Sequence, residues 1–567
     1  MSGTVKETAA QRVERLKQAK NAWECIDEIR GFARNGFDSI PPEWLGTYFR
    51  TWGIYTQGDG GGALSGPGGQ GKAVPYFMVR IRIANGILTS AQTRAIAALS
   101  EKHGRGLADI TVRQNVQLHW VQVESLPEIF ETLEQHGLTT VGACGDVGRN
   151  VVGCPLAGVD HDEIVDASPP AREATRLFVG NPEFYNLPRK FKICITGCRV
   201  WCSYPEINDV AFTALTRKRH SGNEVGFSIR VGGGLSTEPH LAKRLNAFVT
   251  WSQVIPVLKG VAEIFRDSDV LRQSRESARL KYLFLKHGWT ADSFLEELHR
   301  RIGFKLDAAE PEDAPVDTLR DHVGVHEQKQ HGLYYVGASI LRGRTNASQL
   351  QTAANIAEQF GDGQVRLTAM QNLLLPNVAK DNVGAVADRL ALAGIPTQGS
   401  VFQRGTIACT GTEFCKLAIT ETKGFARWLT DELDQRLPGF EQQLKLHITG
   451  CPNSCGQHWI ADIGLEGKKL KVNGKLTDAY YFCVGGGVGK HQAVARPVGY
   501  RCLASEVPEA IERVLRHYDT FKFPGENLRE FFARHENDDI RGWLAGEFVV
   551  PVDRDLPSGR VPHGVEG

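Results

Sequence analysis

Apolar and basic residues alternate over 76–83 (YFMVRIRI), which predicts a half-buried strand with Arg80 and Arg82 on one face. Helical spacing follows at 89–103, then the strand-like DITVRQNVQLHWVQV, then a second helical stretch at 126–136. The order returns later: 332–343 (GLYYVGASILRG) is expected as a strand, 349–360 as a helix, 364–375 as a strand and 381–393 as a helix. Upstream, the polar and charged opening predicts a helix. The glycines of TWGIYTQGDGGGALSGPGGQGK predict a loop rather than a packed element.

The recurrence extends to identity. RQNVQL at Arg113 matches MQNLLL at Met370, an offset of 257; RNVVGC at Arg149 matches RGTIAC at Arg404, an offset of 255. FKICITGCRVWC matches LKLHITGCPNSC, with Cys198 opposite Cys451 and Cys202 opposite Cys455, an offset of 253. A period this long is not a solenoid repeat; it implies two pseudo-symmetric halves, each a small α/β unit followed by a larger one. The halves have diverged in charge. Arg80, Arg82 and Arg113 stand opposite Gly337, Ser339 and Met370, and Lys190 opposite Gln443, while Arg149 and Lys192 keep basic counterparts in Arg404 and Lys445. A lone arginine is usually a solvated surface charge. Cations gathered at corresponding strand and loop positions of one repeat instead predict an anion site.

With 567 residues the chain has length for three to four domain-sized units, and 66 basic against 65 acidic residues give no bulk reason to bind nucleic acid or a membrane surface. No apolar run approaches the ~18 residues of a membrane span, and the opening segment has no apolar signal core, so a reduced cytoplasmic protein is expected. Twelve cysteines are few for this length, and Cys25, Cys483 and Cys502 read as small buried hydrophobes. Four others are paired. Cys409 and Cys415 are separated by five residues in GTIACTGTEFCKLAITETK, and Cys451 and Cys455 by three in HITGCPNSCG. Two close pairs about forty residues apart deliver two ligands from each loop, which suits tetrahedral zinc or an iron–sulfur cluster. The five-residue gap leans towards the cluster.

These residues resemble the sirohaem-dependent nitrite and sulfite reductases. The resemblance rests on the two cysteine pairs, TVRQNVQLHW at 111–120, DVGRNVVGCPLAG at 146–158, NLPRKFK at 186–192, EINDVAF at 206–212 and VGGGLS at 231–236. It implies an α/β (α+β) protein of three domains with an internal pseudo-two-fold. Residues 75–145 and 332–400 would pair as ferredoxin-like units of one domain. A first sirohaem and substrate-side domain would span 146–325 and a [4Fe–4S]/sirohaem domain 401–567, after an N-terminal segment at 1–74. It further implies that Cys409, Cys415, Cys451 and Cys455 ligate one [4Fe–4S] cluster, Cys455 also bridging to sirohaem. Arg113, Gln114, Asn115, Arg279 and Lys281 would hold the sirohaem carboxylates, and Arg82, Arg149, Lys190 and Lys192 the substrate oxyanion. The implied activity is assimilatory six-electron reduction of sulfite to sulfide. Ferredoxin-dependent nitrite reduction to ammonia is the alternative, and a zinc-stabilised binding protein the non-enzymatic one.

Neither VGGGLS nor VGGGVG at 484–489 has the spacing of a dinucleotide fold. Electrons are therefore expected from a separate reduced ferredoxin, or from a flavoprotein, delivered to a monomer. Cys154, Cys198 and Cys202 match three of the four cluster positions, with Asp160 opposite Cys415, and are expected as packed remnants rather than a second cluster.

Overall fold

The computed structural model describes residues 7–547, apart from 67–68, 221, 312–314 and 316–318. Four five-stranded sheets carry the chain, two for each repeat. The smaller pair belongs to the α/β units. One sheet runs in the order Ile54–Gly58, Ala73–Ile81, Val116–Val121, Leu107–Ile110 and Arg344–Asn346. The other runs Gly324–Glu327, Leu333–Ala338, Leu373–Ala379, Gln364–Leu367 and Ile87–Thr89. The last strand of each sheet comes from the other repeat: Arg344 pairs with Asp109, and Ile87 with Arg366. Each short exchanged strand leads into a helix, Ser90–His103 or Ala347–Phe360. Both helices start with a capping box, Thr89 with Gln92 and Asn346 with Gln349. One continuous core, including Phe77, Leu88, Leu118, Leu367 and Leu375, fills both units.

Two expectations need correction. The stretches read as single strands, DITVRQNVQLHWVQV and 364–375, are hairpins. In each a threonine hydroxyl turns the chain, Thr111 accepting from the amides of Arg113 and Asn115, and Thr368 from that of Asn372. Gln114 and Gln371 sit in the turns at φ 56° and 64°. The glycine-rich connector is not only loop. Its Ile54–Gly58 segment is an edge strand paired with Ala73–Ile81, because the β-forming IYT is long enough to pair before the glycines begin.

The larger pair of sheets shares a topology. In the first, Gly148–Val152, Phe191–Thr196 and Val210–Arg219 are parallel, followed by antiparallel Gly222–Val231 and Lys243–Thr250. In the second, Thr406–Ala408, Leu446–Thr449 and Ile463–Val472 are parallel, followed by antiparallel Lys475–Val484 and Arg496–Leu503. Helices cover each sheet over its own core. Among the described residues no helix is long and apolar enough to cross a membrane.

Candidate active site

Parallel strands end on the same side, so the loops following Ala408 and Thr449 emerge together at the carboxyl edge of their sheet, where open α/β sheets place ligands. Backbone hydrogen bonds sew these loops: Cys409 N donates to Ile448 O at 3.1 Å and Ile419 N to Gly450 O at 2.6 Å. Cys409 Sγ accepts from Gly450 N at 3.2 Å, and Cys451 Sγ from Asn453 Nδ2 at 3.5 Å. Cys451 is buried, Cys409 and Cys415 half-buried, and Cys455 exposed. Burial, then the nearby sulfur of Cys455, pushes the Cys415 thiol up to about 12. A bound metal centre must therefore displace these protons.

The spacing of the sulfurs separates the two metal chemistries. A single zinc with Zn–S bonds of ~2.3 Å holds its sulfurs about 3.8 Å apart. Among the described residues, no three of these four thiols approach within 4.8 Å of one another, although such groups occur elsewhere in the chain. The set is too open for one ion.

The glycine-rich connector lies against the first thiol loop. Gly58 N donates to Phe414 O, Gly71 N to Lys416 O and Ala63 N to Ala418 O, at 2.8–2.9 Å. Gly62 has φ 58°, and a Cβ there would fall 2.2 Å from Ala418 O. From the other side the His119 ring stacks on Phe414 at 3.9 Å. His119 in turn faces the buried Asp109, which also meets Arg344 and Lys423. Burial alone would raise the Asp109 carboxyl, but Lys423, His119 and Arg344 hold it well below its ordinary range. This support was not foreseen from sequence, because the glycine-rich connector at 58–71 lies far from the thiol motif at 405–423 along the chain.

Across the crevice stand the cations of the first repeat. Burial and the guanidiniums of Arg279 and Arg189 push Lys190 down to about 7, while the Cys455 sulfur pulls it up. Lys192 is held well below the ordinary lysine value by burial, then by Lys190, Arg279 and Arg113. Among the described residues, neither ammonium has a hydrogen-bond or ion-pair partner. Burial and the neighbouring Arg113 and Arg149 push Arg82 down to about 9. Its Nη1 donates to Gly148 O and its Nη2 to Arg149 O, while the buried Nε has no partner. Arg149 folds its guanidinium onto the Gly145 and Ala143 carbonyls.

The remaining candidates divide by how much donor capacity they keep. Arg113 donates to Asn208 and to the Asn150 carbonyl, leaving Nε buried without a partner, whereas the unmatched atom of Asn115 is its acceptor, Oδ1. Gln114 has none to spare. Its amide donates to the Gly153 and Leu367 carbonyls and accepts from Gly153 N, as Gln371 does with Ile110 and Ala408. Arg279 is clamped on Asp209 at 2.7 and 3.1 Å, and Lys281 donates to the carbonyls of Leu235 and Glu238.

The comparisons with known proteins match both kinds of unit twice. The family model for the nitrite and sulphite reductase 4Fe-4S domain matches residues 144–306 and 402–548. That for the nitrite/sulfite reductase ferredoxin-like half domain matches 70–136 and 326–393. The chain belongs to the sirohaem and [4Fe–4S] nitrite and sulfite reductase family. A ferredoxin sulfite reductase of Mycolicibacterium paratuberculosis is 37% identical over 93% of this chain and 95% of its own length. An assimilatory ferredoxin-dependent nitrite reductase of Haloferax mediterranei is 35% identical over 94% and 92%. The solved structure of the Mycobacterium tuberculosis NirA protein superposes with a TM-score of 0.88 at 34% identity, covering 95% of this chain and 98% of that one. The reductase is thus an oxidoreductase of the expected three-domain fold, with one sirohaem and one [4Fe–4S] cluster.

The residues present fit both groups. The open thiol set suits a cluster rather than one ion, and Arg82 and Arg113, each with a buried Nε lacking a partner, lie with two lysines that have none, which suits anionic groups. At the pseudo-symmetric position Lys445 lies 5.4 Å from the Tyr204 ring, and Glu206, opposite Trp459 in the repeat, accepts from Gly489 N at 2.5 Å.

Proposed function

We infer that this chain reduces sulfite to sulfide with electrons from reduced ferredoxin in the cytoplasm. The observation that carries the substrate assignment is the pair of buried lysines, Lys190 and Lys192, which have no ion-pair partner among the described residues and whose charge, disfavoured by burial and the neighbouring guanidiniums, a bound anion would restore. Sulfite is largely a dianion near neutral pH and nitrite a monoanion, so a second cation favours sulfite more. The ferredoxin names of the relatives support the donor.

In this reading Arg113, Asn115, Arg279 and Lys281 hold sirohaem carboxylates, while Gln114 fixes the turn that presents the first two. Cys409, Cys415, Cys451 and Cys455 would hold the cluster, Cys455 being the exposed thiol of the four. When bound, the two groups supply electrons one at a time. Lys190 and Lys192 bind and orient the oxyanion, and their Nζ protons are available to the oxygen that leaves as water. Arg149 adds charge on the same side. Arg82 pins the Gly148–Arg149 backbone and offers Nε.

The test is kcat/KM for both anions in the wild type and in Lys192→Asn. The substitution is expected to lower the sulfite-to-nitrite ratio about tenfold, the effect of ~1.4 kcal/mol of differential binding. An unchanged or raised ratio would remove Lys192 as the discriminator and leave sulfite and nitrite equally supported.

A further inference from the structure

The first repeat contains a second thiol group that the reduction does not use. Cys154, Cys198 and Cys202 follow the carboxyl ends of Val152 and Thr196, as Cys409, Cys451 and Cys455 follow their own strands. Here the sulfurs have closed up. Cys202 Sγ lies 3.6 Å from Cys154 Sγ, close to the ~3.8 Å edge of a zinc–thiolate tetrahedron. The ligand atoms of Cys154, Cys202 and His322 all lie within 4.8 Å of one another, as do those of Cys154, Cys198 and Asp160.

His322 is the independent observation. It is 3% exposed, and neither ring nitrogen has a hydrogen-bond partner. Buried polar groups are nearly always paired, and an imidazole aimed at two sulfurs with no other partner has the surroundings of a metal ligand. Asp160 stands where the other repeat has its fourth thiol, Cys415, so a cluster would lack its fourth sulfur; Arg320 grips both its oxygens at 2.8 Å, and its Oδ2 accepts from the Cys198 thiol at 3.3 Å.

We propose that Cys154, Cys202 and His322 bind a single zinc ion as a structural site, with Cys198, released from its contact with Asp160, closing the set as fourth ligand. Three thiolates and one imidazole are a closed structural zinc donor set, and soft sulfur with imidazole favours zinc over hard cations. Binding replaces the three thiol protons, which pass to solvent. The ion would staple the loops after Val152 and Thr196 to the segment that enters Gly324–Glu327, joining the first large sheet to the second small unit. The proposal is independent of the substrate assignment.

Metal analysis of the holoenzyme, purified anaerobically from cells supplied with iron and zinc, tests it. One zinc per chain is expected alongside the iron. The zinc-edge X-ray absorption of the wild type should fit sulfur neighbours at ~2.3 Å with one nitrogen at ~2.0 Å. His322→Ala and Cys202→Ser should lose the zinc and keep the iron and the visible spectrum. Wild-type holoenzyme without zinc, whether its three thiols react with an alkylating reagent or Cys154 and Cys202 are found as a disulfide, overturns the proposal. Zinc with an all-oxygen shell, zinc kept in both variants, or a second cluster's worth of iron overturns it equally.

Discussion

Asp146 shows how one side chain organises a site it does not enter. It meets Arg275 at 2.6 Å, Arg189 at 3.2 Å and Lys17 at 3.6 Å, tying the loop before Arg149 to the segment that carries Lys190 and Lys192. Burial would raise its carboxyl, but Arg275, Lys17 and Arg189 hold it well below the ordinary value. A depressed folded value means the contribution is whole above the unfolded pKa, about 3.9, and is lost as pH falls towards the folded one. Asp146→Asn should therefore cost roughly 3–5 kcal/mol at pH 7, since it leaves buried cations uncompensated. Urea midpoints of variant and wild type should begin to converge only below about pH 4, approaching each other as the folded carboxyl protonates; equal midpoints at pH 7 would show the network to be incidental. The cations themselves were legible in the sequence as a charge asymmetry between repeats. Which donors remain free was not, because that depends on carbonyls the fold brings near, as with Gln114.

The connector between Trp52 and Ala73 matters at the scale of elements. Its glycines allow the backbone to lie on the first thiol loop at hydrogen-bond distance, and Gly62 combines a left-handed φ with no room for a Cβ. Gly62→Val should displace the 414–418 loop and lower iron content at least severalfold, measured per folded chain by iron assay with circular dichroism. Full iron occupancy would remove the connector from the site. Periodicity located Ser90–His103 and Ala347–Phe360 within two residues but joined each hairpin into one strand. Apolar runs on both sides of a tight turn carry the same alternation, and only the threonine-based turn breaks them. The reciprocal strands Ile87–Thr89 and Arg344–Asn346 were invisible for another reason: three residues set no period, and their partners lie in the other repeat.

For the whole molecule, duplication followed by divergence accounts for the division of labour. Each larger unit has a cation edge and a thiol edge, and the pseudo-two-fold sets the cation edge of one half against the thiol edge of the other. Lys190 lies within electrostatic reach of the Cys455 sulfur, while Lys445 lies near Tyr204 and Glu206 of the other repeat. The duplication could be read from three matched segments at nearly one offset, and so could the retained thiols. The opposition of the edges could not, because sequence offsets carry no information on how two domains face each other.

Electron counting tests the central claim most directly. Sulfur falls from oxidation state +4 in sulfite to −2 in sulfide, so anaerobic turnover of limiting sulfite should oxidise six reduced ferredoxins for each sulfide formed, and Cys455→Ser should form none. Sulfite consumed with fewer electrons and no sulfide, or undiminished sulfide formation by Cys455→Ser, would contradict it.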